Sequence, residues 1–244
     1  MKKVISISLY ISLCLLPLLA AKKINDIKVP EGYKRIIFSQ SNYCSYIQNL
    51  PLKHNNRIYK WNGKRIWYAS LIYNVLAVID KPILFDEDLE QCADYSMRFW
   101  ADYHKENNIL DKLYLFDYNG NKKYFKDSNK SFMKYLRWHM AFSNSYSIKV
   151  GGRSINIYEK LVPGDMFVQN LDGKVGHVSV VVDAAENSDG DRIYLIGYSY
   201  IPAQEFHIED AANQDSVGAW FTKKGYLKYL SDSRIKQPNV HLVD

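Results

Sequence analysis

One run of residues limits the fold of this chain more than any other: Gly176-His177-Val178-Ser179-Val180-Val181-Val182-Asp183. β-Branched side chains are stiff at χ1 and suit extended backbone. An apolar run of this length between turn signals is a buried strand. Polar Glu186 to Asp191 predicts a turn, and Arg192 to Ser199 the strand that returns from it. Met166 to Val168, just after Pro163-Gly164-Asp165, reads as another strand, and Gln204 to Ile208 as a fourth.

The first half of the chain carries helical signals. From Asp86 to about Lys105, the residues Leu89, Cys92/Ala93, Met97, Trp100 and Tyr103 recur at three- and four-residue steps and give one apolar face. Asp88, with Gln91 three positions later, predicts the cap and places Cys92 near the fourth helical position. Ser41 to Leu50 suits a short helix capped by Ser39 or Ser41, and Phe132 to Phe142 a further one. Asn62-Gly63 and Asn119-Gly120 predict tight hairpins, because both residue types tolerate positive φ. Ser70 to Asp80 is apolar enough for either a strand or a buried helix. Tyr226, Leu227, Tyr229 and Leu230 outline a last short helix before a tail. Helices followed by a meander of strands predict an α+β fold, with one domain over residues 22–244.

Residues 1–21 read as a secretory signal peptide, with an uncleaved anchor as the alternative. Lys2 and Lys3 precede an apolar stretch, Val4 to Leu19, that at about 16 residues is short for a membrane span; Ala20-Ala21 then offers small residues for cleavage. The expectation is an exported protein, periplasmic or at the cell surface, with no stable membrane span once the signal is removed. Its formal charge then loses Lys2 and Lys3 and falls from +6 to +4, a bias that favours anionic surfaces weakly. No basic run or nucleic-acid motif is present, so nucleic acid is not expected as a partner. Cys44 and Cys92 remain, and in an oxidising compartment they could pair as a disulfide.

Two residues sit in contexts that suit nucleophilic chemistry. A thiol at a helix head is helped toward thiolate by the exposed N–H groups there; that describes Cys92, although the same residue also suits a small buried hydrophobe. His177 stands at the mouth of the core strand with Gly176 beside it, which permits close approach of substrate; the bland alternative is a histidine bonded locally in a turn. A turn centred between Asn187 and Ser188 sets His177 opposite Tyr198, and a one-residue slip sets it opposite Ser199. Asp183 shares the strand but lies about 20 Å away, too far to orient the ring. Gln91, beside the thiol, could donate to an oxyanion. The remaining histidines lack metal-ligand spacing, so neither a metal nor another cofactor is expected.

Three strings carry a resemblance. Leu89-Glu90-Gln91-Cys92-Ala93-Asp94, Gly164-Asp165-Met166-Phe167-Val168 with Gly176-His177, and Tyr198-Ser199-Tyr200-Ile201-Pro202-Ala203-Gln204 resemble an uncharacterised, exported bacterial domain-of-unknown-function family with LQQCAD-, GDVF…PGHA- and QSYMPAQ-like motifs. The resemblance runs from about Pro30 to Trp220. More distantly, the arrangement is similar to the CHAP and NlpC groups of papain-like cysteine amidases. That likeness implies a papain-like α+β fold with N-terminal helices packed on an antiparallel sheet. It implies Cys92 as nucleophile, His177 as base and Tyr198 at the third position, with Gln91, Ser199 and Gln204 around the oxyanion or substrate. The implied substrate is a cell-wall peptide or glycan-peptide, cut at an amide bond. Two positions depart from the pattern: tyrosine stands at 198 where the family string has glutamine, and Val175 stands where it has proline. A second reading keeps the scaffold and drops the chemistry: a non-catalytic envelope protein that binds glycan or peptide through Tyr198, Tyr200 and their aromatic neighbours.

Overall fold

The computed structural model describes residues 22–40, 42–69, 73–156, 160–170, 175–212, 215–232 and 239–243. The expected signal peptide, residues 1–21, lies outside the described residues. The fold is mixed α+β, with antiparallel sheets.

The Val-rich run becomes the middle of the longest strand, β6 (Gly176–Asn187). Each side of β6 is divided between partners. β5 (Met166–Asn170) pairs with its first half and β1 (Tyr33–Arg35) with its last residues, while β7 (Arg192–Tyr198) returns antiparallel along the other side. Next to β7 lie β8 (His207–Glu209) and β10 (Trp220–Thr222). β2 (Val75–Val78) extends the sheet beyond β8, β9 (Ser216–Val217) beyond β10, and β11 (Asn239–Val243) beyond β5. A separate hairpin is formed by β3 (Tyr114–Phe116) and β4 (Lys122–Tyr124).

The run is apolar without interruption because both faces of the sheet are covered. Val180 and Val182 belong to a core with Tyr95 and Phe99, whereas Val181 and Ala184 belong to a second core with Phe167, Phe221 and Tyr226. A bulge between Val181 and Asp183 shifts the β6–β7 register, so Val181 pairs with Ile196 but Asp183 with Leu195. The expected register is corrected at the turn: Glu186 pairs with Arg192, so the turn centres on Asp189 and not between Asn187 and Ser188. Val180 faces Gly197, and β7 ends at Tyr198 without pairing to His177. Asp183 is fully buried and works at the other end of the strand, taking hydrogen bonds from Arg35 Nε (2.8 Å) and Gln48 Nε2 (2.6 Å).

The five described helices are α1 (Tyr43–Gln48), α2 (Cys92–Glu106), α3 (Phe132–Phe142), α4 (Ser145–Gly151) and α5 (Lys223–Asp232). α2 is central. Tyr95 and Phe99 pack on the sheet, where Phe206 meets them at ring distances of 5.5 and 5.0 Å. Met97 and Ala101 pack against Tyr135, Leu136 and Met140 of α3. The predicted α2 began too early. The helix starts at Cys92, with Gln91 as its cap, and the Asp94 carboxylate accepts the Gln91 N–H at 2.8 Å. The acids upstream are used elsewhere: Asp88 accepts from the Ala203 amide, and Glu90 from the Leu84 amide and from buried Arg98. Asn119-Gly120 does lie in a hairpin, but in a five-residue loop, Asp117 to Asn121. Asn62-Gly63 turns between Tyr59 and Arg65, which form a single bridge. The apolar stretch before Pro82 supplies strand β2; its residues 70–72 lie outside the described residues.

Candidate functional site

Cys92 is the first residue of α2, and its Sγ lies 3.9 Å from the Gly176 carbonyl oxygen. The Val178 amide, with those of Ala93 and Cys92 itself, favours a thiolate there. Burial opposes them more strongly, helped by the charge of Asp94, and pushes the thiol up to about 11. The sulfur thus meets the main chain on either side of His177.

The imidazole turns the other way. Val178 clusters with Ala93, and Val180 with Tyr95 and Phe99, so these valines face α2. Side chains alternate along a strand, and His177 and Ser179 fall on the opposite face, where Ser179 lies against Tyr226 of α5. The His177 ring packs edge-on against Tyr198 (5.1 Å) and Tyr200 (5.5 Å). Neither ring nitrogen has a hydrogen-bond partner, so no bond joins His177 to Cys92. Burial, with His207 nearby, pushes the imidazole down to about 3.

These values fix the protonation of the pair. At neutral pH a thiol raised to about 11 keeps its proton, and an imidazole lowered to about 3 carries no charge. Thiol and imidazole are therefore both neutral in this conformation.

The other expected site residues are engaged in the framework. Tyr198 is fully buried; its hydroxyl donates to Glu209 Oε2 (2.8 Å) and lies 3.1 Å from the Tyr229 hydroxyl. Tyr198 thus touches His177 through its ring and not through its oxygen. Gln91 donates from Nε2 to Asp88 (3.1 Å), Ser199 donates to the Gln204 carbonyl (2.6 Å), and Gln204 donates from Nε2 to the Tyr73 hydroxyl (3.2 Å). Cys44 and Cys92 are free thiols, so the disulfide considered from sequence is not formed. Among the described residues, no group of three His, Cys, Asp or Glu side chains could hold a metal ion. Nor is any helix among them long and apolar enough to cross a membrane.

Two features escaped the sequence reading. The first is His207, fully buried between Tyr73 (4.7 Å) and Tyr198 (4.5 Å), with Nε2 3.6 Å from Glu209. Its only local signal was membership of a strand. The second is an open cavity of about 510 Å³ between α1, α2, α4, the β3–β4 hairpin and the Pro163–Met166 turn. Its wall is a chain of rings: Tyr43 to Trp100 at 5.0 Å, Trp100 to Tyr114 at 5.8 Å, and Tyr114 to Phe116 at 5.7 Å. Cys44 lines this groove, while Cys92 and His177 do not. Burial, with the charge of Asp165, holds the Cys44 thiol up at about 11.

The family described as Domain of unknown function (4846) matches residues 24–127 and 117–236, and the chain belongs to that family. No curated protein and no solved structure matches it.

Proposed function

We propose that this chain is an exported, non-catalytic binding protein. It uses a scaffold akin to the papain-like CHAP and NlpC amidases, and its ligand enters the aromatic groove beside α2. One observation carries the reading: the thiol and the imidazole are both sealed and neutral, with the ring turned to the far face of β6, while the open concavity lies elsewhere. Buried Tyr198 offers no surface to a glycan or peptide, so binding shifts from that position to the groove.

A second reading keeps the hydrolase, and the placement of Cys92 favours it. The sulfur sits at the head of a 15-residue helix, against the main chain flanking His177. A local rearrangement that brought the ring to the sulfur would give Cys92 as nucleophile and His177 as base toward a cell-wall peptide amide. Incubation of the purified protein with peptidoglycan and its stem peptides separates the two. Binding alone predicts no release of new amino groups. Release that Cys92→Ala abolishes would replace the binding reading with the hydrolase.

A further inference from the structure

We infer that the groove takes an amphipathic organic anion: a flat or aliphatic apolar body carrying one carboxylate, sulfonate or similar group. This rests on the groove being the binding site, as proposed above, and names what enters it.

The inner surface is suited to hydrocarbon. Met97, Ile148 and the aromatic wall line it, and about 510 Å³ is an ordinary size for a small-molecule site. Its shape is fixed by close backbone approach. Gly164 has φ +103°, and a Cβ there would lie 2.7 Å from the Tyr43 ring; a Cβ on Gly151 would collide with Phe116. The ring wall is braced as well, because Trp100 Nε1 donates to the Tyr114 carbonyl at 3.1 Å.

Charge divides between mouth and floor. Lys122 and Arg153 are exposed at the rim. The Lys122 ammonium lies 4.2 Å from the centre of the Tyr114 ring and joins no ion pair among the described residues. The one lining carboxylate, Asp165, is buried and accepts the Val162 amide at 2.7 Å, closing the turn around Pro163-Gly164. A ligand lying along the rings thus presents its outer end to the Lys122 ammonium. Lys122 over Tyr114 already shows that wall accepting a cation on its face, and an anionic ligand head would meet the same ammonium without displacing it.

Two naphthalene probes of nearly equal body test this on the full chain: anionic 8-anilinonaphthalene-1-sulfonate and uncharged N-phenyl-1-naphthylamine. Fluorescence titration gives their affinities, and protection of Cys44 from iodoacetamide reports whether they occupy the groove. The sulfonate should bind about tenfold more tightly than the neutral probe and slow Cys44 labelling in proportion. Lys122→Glu should remove that preference, lowering sulfonate affinity about tenfold more than neutral-probe affinity. Equal affinities with Cys44 protected would overturn the anion inference and leave the binding groove standing. Failure of both probes to protect Cys44 would overturn the groove reading and this inference with it.

Discussion

Replacing His177 by Leu should flatten the acid sensitivity of the fold by a predictable amount. The imidazole is buried against Tyr198 and Tyr200, with His207 close by and Cys92 reaching the neighbouring backbone, and its pKa falls from 6.5 to about 3. A base whose pKa is lower folded than unfolded binds fewer protons folded. Acid therefore favours the unfolded chain, and stability is lost as pH falls from about 6.5 toward 3. Between pH 7 and pH 5 this one residue should remove about 2 kcal/mol. Buried Glu90, Asp94 and Asp183 have raised pKa values and act in the opposite direction, so only the comparison with His177→Leu isolates the histidine. Urea unfolding of both proteins at pH 7 and pH 5 gives the four free energies needed. The wild type should lose about 2 kcal/mol more than the variant. Matching losses, or an imidazole that titrates near 6.5 by NMR in the folded protein, would refute the buried neutral assignment and strengthen the hydrolase reading.

Three further outcomes follow from the same contacts. Iodoacetamide at neutral pH should modify half-exposed Cys44 well before Cys92, with His177→Ala leaving the Cys92 rate unchanged; peptide mapping by mass reads both. Gly164→Ala should cost about 1–2 kcal/mol by thermal unfolding, because alanine is strained at φ +103° and its Cβ crowds Tyr43. Asp183→Ala should cost roughly 3–5 kcal/mol in denaturant, since it strands the Arg35 guanidinium and removes the acceptor of Gln48; a loss under 1 kcal/mol would mean the ion pair adds nothing.

The sequence made the framework readable and the site only half so. Consecutive valines announce a strand covered on both sides, and the three- and four-residue steps around Met97 and Trp100 announce α2. The start of that helix was misread because Asp88, with Gln91 three positions later, looks like a cap, yet Asp88 serves the Ala203 amide, a partner distant in the chain. The bulge at Val182 leaves no trace in a row of valines, and the polar turn does not reveal that it centres on Asp189, which sets the register that leaves His177 without a partner on β7. Alternation could have warned that a histidine directly before Val178 would not share that valine's face. The groove was illegible, because its walls come from five separate segments and, of its rings, only Tyr114 and Phe116 share one.

The Arg35–Asp183 contact spans 148 residues, and β1 has no place to pair until β6 exists. The main sheet therefore cannot close around β6 until some three-quarters of the chain is present.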